Sequence, residues 1–252
     1  MSIPMSASPR NRLPLYCFPY GGAGASAYRD WSRELPEWIE VKPLQPPGRE
    51  SRFREAPHTR LAPMVADMLG KVEAEPGPFA LFGHSLGGLV AFELARELRR
   101  QGRPAPVLLV VSGFGAPHLL RDRPQVSHLA PDDFWREVQA HYDVTPEIVA
   151  EPIFRELAYP ALRADLEIVE TYVHREEPPF DFPLLALGGF GDPEAAPEQI
   201  EAWKGYSRLP VRVRIFPGGH FYVNSSRAEV LAEILAAATA ATAASAATTG
   251  PT

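Results

Sequence analysis

Phe79-Ala80-Leu81-Phe82-Gly83-His84-Ser85-Leu86-Gly87-Gly88 reads as an apolar strand, a serine between glycines and the first turn of a helix. Leu86, Val90, Leu94 and Leu98 recur at helical spacing, and Gly102 and Pro104 close that helix. Residues 83–87 match G-x-S-x-G, a pattern that gains meaning only between a strand and a helix. There the serine sits on a turn so sharp that only small neighbours fit beside it. Gly83 and Gly87 give that room, and Gly88 lets the helix close on the sheet. The helix N-terminus also aims free N–H groups and a positive dipole at developing negative charge. Ser85 is therefore the candidate nucleophile; without partners the same stretch would be a plain strand-to-helix junction. His84 precedes the turn and reads as packing or a local hydrogen-bond donor.

Outward from this stretch, strand-like runs fall at 13–18, 40–44, 107–112, 183–187 and 211–216, besides 79–82. They are short and continuously apolar, as in a parallel sheet covered on both faces. Leu61, Met64, Val65, Met68, Leu69 and Val72 mark a helix between the second and third runs. Alternating strands and helices predict an α/β fold with a mostly parallel central sheet. Residues 113–182 exceed one crossover helix. Amphipathic pieces at 132–142 and 153–172 are interrupted by Pro146, Pro152 and Pro160. Placed just downstream of the nucleophile, this insertion predicts a helical lid. Residues 1–112 and 183–240 then form the core. A helix over 227–238 gives way to an uncharged Ala/Thr-rich stretch, so 241–252 reads as a disordered tail.

A serine hydroxyl needs a neighbouring imidazole to take its proton. In folds with this elbow the histidine comes last, after the final strand. Pro217-Gly218-Gly219-His220-Phe221 occupies that loop, and its two glycines allow an irregular path that brings His220 over Ser85. The orienting acid belongs on a strand-exit loop between serine and histidine. Leu184-Leu185-Ala186-Leu187 runs into Gly188-Gly189-Phe190-Gly191-Asp192, whereas the preceding strand exits through Ser112-Gly113-Phe114-Gly115-Ala116 without a carboxylate. Asp192 is the candidate, with helix capping as its alternative role. Two N–H donors must face the oxyanion. Leu86, next to the nucleophile, supplies one. The glycine-rich loop Pro19-Tyr20-Gly21-Gly22-Ala23-Gly24 supplies the other. Elbow, acid and late histidine in this order predict the α/β-hydrolase fold and a serine acyl hydrolase.

Composition bounds the alternatives. Lys and Arg number 25 against 31 Asp and Glu, a net charge of −6 that lacks the footprint of a nucleic-acid binder. Cys17, the single cysteine, excludes an internal disulfide and lies in an apolar run as a buried thiol. The first thirteen residues lack a signal-peptide core and no run reads as a membrane span, so a cytoplasmic protein is expected. No metal or cofactor is called for.

Phe18-Pro19-Tyr20-Gly21-Gly22, Pro47-Gly48-Arg49-Glu50, Gly83-His84-Ser85-Leu86-Gly87-Gly88, Leu162-Arg163-Ala164-Asp165, Gly191-Asp192 and Pro217-Gly218-Gly219-His220-Phe221 together resemble the type II thioesterases, free-standing editing enzymes of polyketide and nonribosomal peptide assembly lines. The resemblance spans about Leu13 to Leu235. It implies hydrolysis of acyl thioesters from the phosphopantetheine arm of acyl or peptidyl carrier proteins, so that the arm belongs to the substrate. It also implies a helical lid at 113–182 and an N–H near Gly21 that joins Leu86 in the oxyanion hole. Relatives often carry alanine where Gly21 stands and glycine where Ala23 stands. The residues alone do not separate a thioester from an oxygen ester, and an esterase or a product-releasing thioesterase fits them too. Carrier proteins are generally acidic, so docking on a net-negative chain calls for a local basic patch. Arg49, Arg52, Arg54 and Arg60 form the densest one, with Arg52 and Arg54 as the docking candidates.

Overall fold

The computed structural model describes residues 12–72, 77–119, 125–143 and 149–248. Six strands form one parallel sheet in the order β2-β1-β3-β4-β5-β6. They are β1 (Leu13–Phe18), β2 (Ile39–Pro43), β3 (Ala80–His84), β4 (Leu108–Ser112), β5 (Leu184–Gly189) and β6 (Arg212–Phe216). The six predicted runs coincide with these strands to within about two residues at each end. The helices are α1 (Trp31–Glu34), α2 (Leu61–Leu69), α3 (Leu86–Arg100), α4 (Pro131–His141), α5 (Pro152–Glu170), α6 (Pro197–Glu201), α7 (Tyr222–Ser225) and α8 (Arg227–Thr248).

Strand alternation divides the core in two. Tyr16, Phe18, Leu81, Leu109, Val111 and Ala186 face α2, α3 and Ile200 of α6. Leu13, Leu15, Cys17, Ala80, Phe82, Leu108 and Leu187 face Trp31 of α1, Tyr222 of α7 and the apolar side of α8. Cys17 is fully buried, and burial pushes its thiol far above the ordinary range. The chain lays β2 beside β1 and then reverses to place β3 on its other flank. The carboxyl ends of β1 and β3 therefore border the switch point, where parallel α/β sheets place their ligand crevices.

Three expectations change. Pro160 does not interrupt the insertion: it lies inside the continuous helix α5. Its missing N–H removes one hydrogen bond, and the packing of Ala161, Ala164 and Ile168 holds the helix across that gap. The C-terminal helix, expected to end at Ala238, continues to Thr248, leaving only 249–252 of the predicted tail outside the described residues. Alanine is the best helix former, and Ala241 is buried against the core alongside Ala238. By length and composition alone residues 227–245 of this helix could cross a membrane, contrary to the sequence reading. In the fold, Val230, Leu231 and Ile234 lie under the sheet, and Glu233 holds Arg212 and Arg214 of β6 at 2.6 and 3.2 Å. Those arginines, like Glu40 and Lys42 of β2, interrupt the apolar run, and both strands are edges of the sheet.

Candidate active site

Ser85 sits between β3 and α3 with φ +54° and ψ −125°, one of two described non-glycine residues with positive φ. Such a conformation persists only where its surroundings impose it. Here the Ser85 N–H donates to the Ser112 carbonyl at 2.7 Å, and the Ser85 carbonyl accepts from Gly88 at 2.8 Å. The flanking glycines are sterically obligatory. A Cβ on Gly83 would stand 2.0 Å from the Gly87 carbonyl oxygen, and one on Gly87 would stand 2.1 Å from that of Phe18. Leu86 N–H opens α3, where the helix offers it no acceptor.

His220 follows Gly218, at φ +107°, and Gly219, where a Cβ would collide with Asp143 Oδ2 at 2.5 Å. That same oxygen accepts the His220 N–H at 2.9 Å. The imidazole Nδ1 lies 2.9 Å from Asp192 Oδ2, with both side chains buried. The other Asp192 oxygen accepts the N–H groups of Glu194 and Ala195 at 2.8 and 3.2 Å. The capping alternative and the acid role thus use different oxygens of one carboxylate, although the next helix starts only at Pro197. Glu194 brings a second carboxylate to within 3.6 Å of His220 Nε2. Sequence reading passed over it, though an acid two residues beyond Asp192 was a visible signal.

Ser85, Leu86, Gly21 and His220 line one cavity of about 60 Å³, closed on the other side by Val138, Tyr142, Leu162, Leu166 and Val169 of the insertion. A groove of about 810 Å³ lies elsewhere, beside α2 and α3. Its Arg96, Arg100, Glu93 and Glu177 pair with one another, and its described lining holds no serine, threonine or cysteine, so the smaller cavity is the candidate site.

His84 is buried, its Nδ1 2.9 Å from Ser112 Oγ, which lies 2.5 Å from Tyr222 Oη. Burial, reinforced by His220, holds the ring well below its ordinary value of 6.5. It stays neutral and braces the site, as its position before the turn suggested. The unfolded chain therefore binds a proton that the folded chain refuses below pH 6.5. The stability that a neutral His84 contributes is present above that pH and is lost as pH falls below it. Chemical denaturation at pH 7.5 and pH 5.5 should show the difference, and His84→Asn should shrink it; an unchanged difference in that variant would assign it to other groups.

Gly21 belongs to a tight turn. Ala23 N–H donates to the Tyr20 carbonyl at 3.0 Å, and Gly22 carries φ +78°, the value a type II turn requires at its third position. Gly22 N–H donates to Asp165 Oδ2 of α5 at 2.7 Å. The Gly22 and Ala23 N–H groups are thus committed, and Gly21 lines the cavity. Asp165 also takes a bidentate pair from Arg49, at 2.5 and 2.9 Å. Both side chains are buried, so removing either partner costs about 3–5 kcal/mol.

Three of the four arginines of the candidate basic patch are ion-paired. Arg49 is spent on Asp165, Arg60 on Glu167, and Arg52 on Asp67 and Glu55. The Glu55 and Asp67 carboxylates raise the Arg52 guanidinium further still. Arg52 is thus a structural cation, and Arg54 alone stays exposed without a described ion pair.

Comparison with known proteins gives this arrangement a family. The thioesterase domain family matches residues 13–239. Gramicidin S biosynthesis protein GrsT of Aneurinibacillus migulanus is 37% identical over 222 residues, covering 87% of this chain and 86% of that protein. RedJ, the thioesterase of the prodiginine pathway in Streptomyces coelicolor, superposes with a TM-score of 0.83 at 35% identity, over 93% of this chain and 96% of RedJ. YbtT, a type II thioesterase from the yersiniabactin NRPS/PKS pathway, gives 0.80 at 31% identity, over 94% and 96%. The six-stranded sheet with its elbow is that of the α/β-hydrolase fold, and the chain belongs to the thioesterase family.

Proposed function

We propose that this chain is a type II thioesterase that removes acyl groups from the phosphopantetheine arm of acyl or peptidyl carrier domains in the cytoplasm. Ser85 acts as nucleophile, His220 as base and Asp192 as its orienting acid. The observation that carries the reading is the strained Ser85 at the β3–α3 turn, sharing one cavity with a His220 whose far nitrogen is held by Asp192. Ser85 Oγ attacks the thioester carbonyl while His220 Nε2 takes its proton. Leu86 and Gly21 N–H groups receive the oxyanion. The thiolate departs and takes the proton from the imidazolium. Water, deprotonated by His220, then releases the acid from the acyl-enzyme. Relatives that serve gramicidin S, prodiginine and yersiniabactin pathways support a carrier-bound substrate.

A cavity of about 60 Å³ is far below the several hundred that hold a drug-sized ligand, so acyl binding requires the α4–α5 wall to move. The wall's outer face fits that role, with Ile153, Phe154 and Leu157 exposed.

The test compares kcat/KM for one acyl group on a carrier protein, on coenzyme A and on a short pantetheine mimic. The carrier form is expected to be preferred. Equal values for all three would remove the editing role and leave a general thioesterase, and faster cleavage of the oxygen-ester analogue would leave an esterase. Arg54→Glu is expected to weaken only the carrier substrate; an unaffected carrier rate would move docking away from this loop.

A further inference from the structure

We propose that Asp165 is a positioning residue for the oxyanion hole, anchoring to the lid helix the turn that carries the Gly21 N–H. The inference rests on the function proposed above. Three observations on separate segments carry it. The Tyr20 carbonyl accepts from Ala23, and across a planar trans peptide the Gly21 N–H points the opposite way. The next peptide contributes the Gly22 N–H, which Asp165 Oδ2 accepts at 2.7 Å. Two successive glycines have little preference of their own between the alternative flips of that peptide. A flip of that peptide would leave the Gly21 N–H in place but turn the Gly21 carbonyl toward the Asp165 carboxylate, so this acceptor selects the turn that is seen and ties it to α5, fixing where the Gly21 N–H stands.

A bare carboxylate beside the developing oxyanion would oppose catalysis. Arg49 removes that conflict with its bidentate pair, and its Nη1 also reaches the Ala23 carbonyl at 3.4 Å. Leu162, one turn before Asp165, packs beneath the same two glycines: a Cβ on Gly21 or Gly22 would lie 3.7 or 3.4 Å from its Cδ1. The α5 segment around Asp165 is thus part of the catalytic frame, although it lies in the insertion and touches neither Ser85 nor His220 by hydrogen bond among the described contacts.

Single substitutions would strand a buried charge, so the test uses two uncharged pairs. Arg49→Met with Asp165→Asn keeps an oxygen for Gly22 N–H, whereas Arg49→Met with Asp165→Leu does not. Both are compared with wild type by thermal melting and by steady-state hydrolysis of a short acyl pantetheine thioester. The Asn pair should keep kcat within about tenfold of wild type. The Leu pair should lose about 10²-fold in kcat, the scale of one oxyanion donor, with KM within about threefold. Equal kcat in the two pairs, or a loss confined to KM, overturns the proposal. The intact protein gives an independent reading that does not depend on the variants folding. In 15N-labelled wild type, an alkyl boronic acid adduct at Ser85 should shift the Gly21 and Leu86 amide resonances and leave that of Gly22. A shift of Gly22 instead of Gly21 overturns the assignment. A wild-type protein that forms no adduct and cleaves no thioester sinks the proposed function itself, and this inference with it.

Discussion

Ser85→Ala is expected to lower thioester turnover by at least about 10³-fold while the melting temperature stays near that of wild type. Activity falls because Ser85 is the only serine or threonine among the described residues that line the cavity, and residual catalysis would come from the N–H groups of Leu86 and Gly21. Stability survives because serine and alanine both carry a Cβ at φ +54°, so the strain is the same in either. The hydrogen bonds of this residue that fix the turn are made by its backbone. Steady-state kinetics and fluorophosphonate labelling check it together. A folded variant that still turns over at near-normal rate would displace Ser85 from the mechanism.

Asp192→Asn should cost about 10³- to 10⁴-fold in kcat, the scale seen when an orienting carboxylate becomes an amide in a serine triad. The backbone around residue 192 has reason to hold, since an amide oxygen can still accept from Glu194 and Ala195. The damage falls on the other oxygen. An NH2 placed 2.9 Å from His220 Nδ1 selects the wrong tautomer and removes the charge that steadies the imidazolium. Among the described ion pairs of His220 only Asp192 meets Nδ1, and Asp143 Oδ2 is held by the His220 backbone N–H. Glu194 stands beside Nε2, the opposite nitrogen. Asp165 is bound to Arg49, and Asp181 is exposed and paired with Arg208 at 2.6 Å. Activity within a few-fold of wild type would require a carboxylate at Nδ1 that this structure does not supply.

Much of this was legible in the sequence because it is written locally. A parallel strand buried on both faces needs four to six consecutive apolar residues, and the elbow needs glycines at fixed offsets from the serine. His220 could be found because its loop follows the last strand, and Asp192 because the alternative strand exit held no acid. Pairing was not legible. Arg49 and Asp165 lie 116 residues apart, and nothing in either neighbourhood names the other. Arg52 read as a docking candidate because its partner Asp67 lies 15 residues further on, outside the basic stretch. Residues 241–248 were misread because low charge and low hydrophobicity were taken for disorder, while alanine's helix propensity and the burial of Ala241 decide otherwise.

The arginines of β6 carry one more consequence. A parallel sheet that does not close has two open edges, each a row of unpaired backbone groups able to recruit a strand from another molecule. Here the edges are defended by different means. On β2 the outermost strand ends at Pro43, which has no N–H to offer, and Lys42 and Glu40 lie along it. On β6, Arg212 and Arg214 project from the edge, and both are tethered to Glu233 of α8 so that the charges stay where they are needed. Neither flank invites a second sheet to add on. The C-terminal helix, besides covering the apolar face of the sheet, is therefore what keeps that last strand unsuited to self-association and fibrous aggregation.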